Sequence, residues 1–363
     1  MKKVMFMIPH LKGGGAERVL IDVLSHLDQT KFDITLIVLQ HQGVYINQIP
    51  EGVKVKYLLK SSRGMYWLQS RVIKYFRKWY YYFKIKEQYD VEIAFLEGMA
   101  TNLIANSTNK ASKKIAWIHT DMYTNNWTRN MFYLGDEARC YRKFDELIFV
   151  SNDSMSAFNH RFKMINTPQK VIPNPIIPNE IMKKSEAFEV IYNSKTIVAI
   201  GRLNPQKGFD LLIQAFAKLV ERFEVNLVII GEGPQRVELE KLIKTLNLEK
   251  NIKLIGYQEN PYPYMKAADI FVSSSRTEGY PIVLLEALVL KKAIIATKIT
   301  GNQELLSNGD AALLCDCSVE GLVNALSEVL DGRVSTSTLE LKSQKRAEQF
   351  DIKEILYKIE SIL

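Results

Sequence analysis

The chain has only three cysteines in 363 residues, Cys140, Cys315 and Cys317. Three cysteines do not make a disulfide framework. Cys-Asp-Cys without a second pair is not metal-ligand spacing. A reduced, cytosolic compartment is the expectation. Long apolar runs are absent too. The N-terminal run, Val4 to Pro9, is too short for a secretory signal. No stretch approaches the roughly 20 residues needed to span a bilayer. There is no internal repeat, no low-complexity segment and no Asp-x-Asp pair. A disulfide-stapled module, a membrane-spanning chain and a solenoid are thereby excluded.

Acidic residues are missing locally. Net charge is +8. Residues 1–180 hold 25 Lys+Arg and 16 Asp+Glu, a net of +9; the rest hold 23 and 24, a net of −1. No acidic residue occurs from Gly52 to Lys86. A basic half joined to a near-neutral half implies that one half meets an anionic surface or partner.

At 47% hydrophobic and 24% charged, the composition is that of a globular protein. The length calls for two domains. Short apolar strands are expected at 4–8, 32–39, 53–58, 91–95, 114–118, 147–150 and 169–172, with helical or loop segments between them. Pro173-Asn174-Pro175-Ile176-Ile177-Pro178 breaks the alternation and marks a linker near residue 180. A second series follows, with strands at 196–201, 226–231, 252–256, 270–273, 293–296 and 312–314. Its helices are expected at 209–222, 235–246, 282–290 and 319–330. The tail from Lys342 reads as a helix with Ile352, Ile355, Leu356, Ile359 and Leu363 on one side. The pattern is α/β: two doubly wound, Rossmann-like parallel sheets covered on both faces. Ligands of such sheets bind at the carboxyl ends of strands, so the cleft between the domains is the expected site.

The most informative stretch runs from Ser273 to Ala287. After the strand, Ser273-Ser274-Ser275-Arg276-Thr277-Glu278-Gly279-Tyr280 reads as a loop, and Pro281 suits the start of a helix. Glu278 sits on the loop and Glu286 eight residues on, inside the helix. Between them the N–H groups of Ile282, Val283 and Leu284 are expected to be free, because a first helical turn has no internal acceptors. That is an anion site flanked by two hydrogen-bond acceptors, suited to a ligand with a phosphate and several hydroxyls.

Other features add to it. Gly13-Gly14-Gly15 follows the first strand and precedes the first helix, where glycines allow close backbone approach to a ligand. It matches neither the dinucleotide nor the P-loop fingerprint. Gly201-Arg202-Leu203-Asn204-Pro205-Gln206-Lys207-Gly208 occupies the equivalent place in the second domain. Arg202 can fork onto phosphate oxygens and Lys207 can act as a point charge. His119 stands just past a strand end. Arg63 to Lys86 carries Arg63, Arg71, Lys74, Arg77, Lys78, Lys84 and Lys86, interleaved with Tyr66, Trp67, Tyr75, Phe76, Trp79, Tyr80, Tyr81, Tyr82 and Phe83. As a helix it would set Leu68, Val72, Tyr75/Phe76, Trp79 and Phe83 on one side. A basic, aromatic amphipathic helix is what an interfacial membrane contact requires. A nucleic-acid patch or a packed helix with a solvated basic face would share these residues. Aromatic clustering favours the membrane over nucleic acid.

With Glu278-x₇-Glu286, Gly201-Arg202…Lys207-Gly208 and the N-terminal glycine loop in this order, the sequence resembles glycosyltransferase family 4, the retaining sugar-nucleotide transferases of GT-B fold. The resemblance spans nearly the whole chain. It implies an N-terminal acceptor domain (1–180), a C-terminal nucleotide-sugar domain (181–345) and a final helix (346–363) crossing back to the first domain. It implies that Arg202 and Lys207 hold the donor diphosphate and that Glu286 binds the ribose. Glu278 and His119 would lie near the transferred sugar, and Gly14 and Gly15 would approach the donor phosphate. Gly279, Tyr280, Pro281, Ile282, Val283 and Leu284 would complete the donor site. Asn174 falls where many members have Asn-Gly-Val; here it is Asn-Pro-Ile. The family works without a metal or other cofactor, and its donors are nucleotide-diphosphate sugars, here expected to be UDP-linked. Residues Arg71, Lys74, Arg77, Lys78 and Trp79 then read as contacts to membrane or to a lipid-linked saccharide acceptor. This places the chain as a peripheral protein on the inner face of the cell membrane, in capsule or surface-polysaccharide synthesis. No nucleic-acid partner is expected. A nucleotide-sugar 2-epimerase of the same fold and a non-catalytic nucleotide-sugar-binding subunit are the alternatives.

Overall fold

The computed structural model describes residues 1–59, 63–124, 126–133 and 135–363, with side chains of the helix beginning at Arg63 described from Arg71 onward. It divides into two units: 1–175 with 352–363, and 176–351.

The first unit is a seven-stranded parallel sheet. Its strands are β1 (Lys2–Ile8), β2 (Phe32–Gln40), β3 (Lys54–Leu59), β4 (Val91–Ala94), β5 (Lys113–Ile118), β6 (Glu146–Phe149) and β7 (Gln169–Val171). Their spatial order is β3-β2-β1-β4-β5-β6-β7. Val4 to Ile8 of β1 are wholly buried, as a central strand covered on both faces must be. The helices of this unit are α1 (Gly15–His26), α2 (Arg63–Lys84), α3 (Met99–Ile104), α4 (Asp136–Tyr141) and α5 (Asn152–Arg161). The winding direction reverses between β1 and β4. Such a reversal leaves a crevice at the strands' carboxyl ends, where the loops after β1 and β4 part.

The second unit opens with α6 (Pro178–Ser185), whose first residue is the last proline of the linker. Its strands β8 (Lys195–Ile200), β9 (Val225–Ile230), β10 (Ile252–Leu254), β11 (Ile270–Ser273), β12 (Ala293–Thr297) and β13 (Leu313–Cys315) form a six-stranded parallel sheet. The order is β10-β9-β8-β11-β12-β13, so the reversal lies between β8 and β11. Helices α7 (Phe209–Leu219), α8 (Arg236–Thr245), α9 (Tyr262–Ala267), α10 (Ile282–Val289), α11 (Thr300–Leu305), α12 (Val319–Leu330) and α13 (Thr336–Ala347) complete it.

The tail is two helices rather than one. α13 belongs to the second unit, where Ser343 Oγ donates to Lys292 O at 2.7 Å. α14 (Ile352–Ile362) belongs to the first unit. The boundary therefore falls at 352 and not at 346. α14 buries Ile355, Ile359 and Ile362. Lys113 Nζ donates to Ile362 O at 2.8 Å and Lys31 Nζ lies 2.9 Å from Glu360 Oε2.

Candidate active site

In the second unit the loops leaving β8 and β11 are joined along their length. Arg276 is the joint. Its N–H donates to Gln206 O at 2.7 Å, and its guanidinium donates to Pro205 O at 2.8 Å. The same guanidinium forks onto Asp210 at 2.8 and 2.7 Å, holding that carboxyl below its ordinary range. Gln206 Nε2 donates to Thr277 O at 2.9 Å, and Ser274 Oγ to Lys207 O at 2.9 Å. Gly208 has φ +64°, and a Cβ there would sit 2.1 Å from Ser274 O. Glycine at 208 is thus required by the approach of the two loops. Sequence reasoning picked Arg202 and Lys207 as the cations here and passed over Arg276, which holds the frame.

Lys207 and Glu278 meet inside this frame. Lys207 Nζ lies 2.5 Å from Glu278 Oε1, which also accepts from Ser275 Oγ at 2.7 Å. Glu278 is buried. Lys207 packs its stem against Gly201, where a Cβ would come within 3.2 Å of it. Arg202 differs: it is exposed, and its guanidinium makes no hydrogen bond or ion pair among the described residues. It is the cation of this loop free to receive an anion.

Helix α10 starts after Gly279, Tyr280 and Pro281. One of its three expected free donors is already used. Leu284 N–H donates to Pro281 O at 3.0 Å, tightening the first turn. Ile282 and Val283 keep free N–H groups among the described residues. Tyr280 is buried, which pushes its hydroxyl pKa up. Glu286, half-buried on α10, accepts from Tyr262 OH at 2.8 Å. An exposed guanidinium, a paired ammonium and two free amides therefore stand at the β8/β11 reversal, with a carboxylate on either side of the amides in sequence.

In the first unit, Gly13 adopts φ +104°, which favours glycine. Gly14 caps α1, which begins at Gly15. The Glu17 carboxylate lies over Gly14: a Cβ there would be 2.2 Å from Glu17 Oε2. His10 Nδ1 is 3.2 Å from Glu17 Oε1. These glycines answer to backbone shape and to Glu17, and an anion reaching the loop would share it with that carboxylate.

His119 follows β5 and is buried against Phe95 and Trp117, with ring centroids at 4.8 and 6.2 Å. Neither ring nitrogen has a hydrogen-bond partner among the described residues. Burial pushes its pKa down to about 3, so the imidazole is neutral. Sequence reasoning missed its neighbour. Glu97 is wholly buried after β4, and its Oε1 accepts from His119 N at 2.6 Å, Thr120 N at 2.8 Å and Thr120 Oγ1 at 3.1 Å. Desolvation raises the Glu97 pKa.

Helix α2 forms and turns its aromatic side outward. Tyr75, Phe76, Trp79, Tyr82 and Phe83 are all more than half exposed, Trp79 at 63%. Ile73, Tyr80 and Tyr81 face inward. The four cations divide. Arg71 and Lys78 are exposed. Arg77 pairs with Asp136 at 2.7 Å, and Lys74 donates to Asn130 O at 3.2 Å. Lys74 and Arg77 thus anchor the loop after β5 rather than an outside partner. Side chains of Arg63, Tyr66, Trp67 and Leu68 lie outside the described residues. No helix among the described residues is long and apolar enough to cross a membrane.

Two parallel α/β units of this topology make a fold of GT-B type. Solved structures with this architecture match over the whole chain. Anabaena HepE in complex with UDP and glucose superposes with TM-score 0.81 at 21% identity, covering 100% of this chain and 99% of HepE. A sucrose-phosphate synthase from Thermosynechococcus elongatus gives TM-score 0.82 at 16% identity, covering 100% of this chain and 98% of its own. The model for Glycosyltransferase Family 4 matches residues 13–180 and that for Glycosyl transferases group 1 matches 181–350. The chain belongs to glycosyltransferase family 4. A relative in Campylobacter jejuni, N-acetylgalactosamine-N,N'-diacetylbacillosaminyl-diphospho-undecaprenol 4-alpha-N-acetylgalactosaminyltransferase, is 28% identical over 97% of this chain and 96% of its own. An uncharacterized glycosyltransferase of Haemophilus influenzae is 25% identical over the full length of both.

Proposed function

We propose that this glycosyltransferase moves a sugar, with retention, from a UDP-linked donor to a lipid-linked saccharide at the inner face of the cytoplasmic membrane, in the assembly of a capsule or other surface polysaccharide. The observation that carries the donor half is the β8/β11 reversal. Arg202, Lys207 and the N–H groups of Ile282 and Val283 are fixed donors facing the place where charge develops when a sugar leaves a diphosphate. In this reading Glu286 takes the ribose hydroxyls, and Glu278 and His119 lie at the transferred sugar. The glycine loop at Gly14 and Gly15 approaches the donor phosphate. The acceptor hydroxyl attacks the anomeric carbon on the face the diphosphate leaves, and the leaving phosphate oxygen takes the hydroxyl proton. Leaving-group charge is met by cations and amides of the chain, without a metal. UDP in the HepE complexes and the diphospho-undecaprenol acceptor in the Campylobacter relative's name support this choice of donor and acceptor. The outward aromatic face of α2 supports the membrane location.

The test is a panel of sugar nucleotides, each incubated with and without membrane lipid extract, with products resolved by mass and anomeric configuration. Transfer of a sugar from a UDP donor to a lipid-extractable saccharide, with the donor's anomeric configuration kept, is the expected result. Conversion of the donor to its 2-epimer without acceptor would replace this reading with that of an epimerase.

A further inference from the structure

We propose that Glu97 is a positioning residue for His119, its carboxyl fixing the exit of β5 so that the imidazole is presented to the donor sugar; this rests on the site reading above. β5 pairs with β4 as far as Ala94↔Ala116 and with β6 as far as Ile118↔Phe149. Past Ile118 the amides of His119 and Thr120 have no strand carbonyl to meet. One oxygen of Glu97 takes their place, accepting both amides and the Thr120 hydroxyl. Buried amides need such a partner, and a side chain that supplies it also fixes where the chain goes next.

The approach to Glu97 is built as tightly. Gly98 follows at φ +93°, and a Cβ there would meet Met131 Sδ at 2.6 Å. Phe95, two residues before Glu97, packs its ring on His119 at 4.8 Å. The His119 backbone is held by Glu97 and its ring face by Phe95 and Trp117. Among the described residues its two ring nitrogens are left without partners, as is Glu97 Oε2. A buried polar group costs about 1–3 kcal/mol when unpaired, so a polar ligand that reached these atoms would relieve that cost.

Desolvation raises the Glu97 pKa, against the hydrogen bonds from His119 and Thr120 that lower it. A neutral imidazole donates at one nitrogen and accepts at the other, which suits a sugar hydroxyl.

The test is a double-mutant cycle with a spectroscopic control. Glu97→Ala and His119→Ala are each expected to lower kcat/KM for sugar transfer on the order of 10- to 100-fold. The double variant is expected to lose no more than His119→Ala alone. Glu97→Gln keeps an accepting oxygen and is expected to retain kcat/KM within about threefold, with slow amide exchange at His119 and Thr120. Losses that multiply in the double variant, or a Glu97→Gln variant as impaired as Glu97→Ala, would overturn the proposal while leaving the site reading standing. A fully active His119→Ala would instead remove the site reading for His119. If Glu97→Ala does not fold, Thr120→Val, which deletes one of the three bonds, takes its place in the same cycle.

Discussion

Lys207 and Glu278 hold one another at 2.5 Å across the two loops that leave β8 and β11. The ammonium assigned to the donor diphosphate is therefore already paired before any donor arrives. A diphosphate must draw Lys207 from Glu278 or share it, whereas Arg202 has no partner to leave among the described residues.

That asymmetry separates three variants. Arg202→Ala is expected to cut turnover at least on the order of a hundredfold and to weaken donor binding. Its melting temperature should stay within about one degree, since an exposed, unpaired side chain carries little stability. Glu278→Gln frees Lys207, so donor binding should hold or tighten while turnover falls at least on the order of a hundredfold. Lys207→Met leaves a buried carboxylate with Ser275 alone and should cost about 1–3 kcal/mol of stability. Calorimetry with UDP, steady-state rates and thermal melts together check the set.

A second prediction concerns Gly301 on α11. A Cβ there would lie 2.4 Å from Glu278 O and 3.0 Å from Gly279 O, both main-chain atoms that cannot swing away. Gly301→Ala is expected to push the Glu278 loop outward. It should cost about 1–3 kcal/mol and lower kcat more than tenfold. Urea melts and kcat measured on the same preparation test it; unchanged kcat would mean that the loop yields without moving Glu278.

The divided cations of α2 give a third. Trp79→Ala with Phe83→Ala, or charge removal at Lys78, Lys84 and Lys86, should abolish sedimentation with anionic liposomes without lowering the melting temperature. Each exposed cation near an anionic surface is worth about 1 kcal/mol of binding. Arg77→Ala should behave otherwise: it leaves Asp136 with only the more distant Arg139, at 3.5 Å, and lowers the melting temperature, while liposome binding falls little. Full liposome binding by the aromatic double variant would sink the membrane role of this helix.

The fourth is a pH effect. Unfolded, His119 takes a proton near pH 6.5; folded, burial holds that event to about 3. Between these values the unfolded chain binds the extra proton, so His119 costs stability as pH falls below about 6.5. Glu97, whose pKa is raised, has the opposite sign: its contribution is present in acid and lost as pH rises. His119→Phe removes the first term and keeps the second. Relative to the wild type, the variant should gain about 2 kcal/mol on going from pH 8 to pH 5, followed by chemical denaturation at each pH. An unchanged difference would place the titrating group elsewhere.

Much of the fold was legible in the sequence because central parallel strands are continuous apolar runs. Val4–Ile8, Ile270–Ser273 and Ala293–Thr297 announce themselves without knowledge of their neighbours. Glu278, Glu286, Arg202 and Lys207 were legible for a related reason: each lies on or just after a loop at the end of such a strand. Glu97 was not. In Phe-Leu-Glu-Gly it looks like a solvated glutamate, and its partners lie 22 and 23 residues further on, joined to it only by the pairing of β4 with β5. The inward turn of Arg77 was hidden likewise, because Asp136 is 59 residues away. On α2 both outcomes, a packed aromatic face or an outward one, have the same periodicity. Only the burial of Ile73, Tyr80 and Tyr81 tells them apart.

Helix α14 brings the chain back to the unit in which it began. In chain order the whole second unit is an insertion between β7 and the helix that returns to the first unit. On the ribosome, β1 to β7 must therefore wait for some 176 further residues before Lys31 and Lys113 gain their partners on α14. The second unit has no such debt, since residues 176–351 are one continuous segment. It can finish folding first, reversing the usual order in which amino-terminal domains lead.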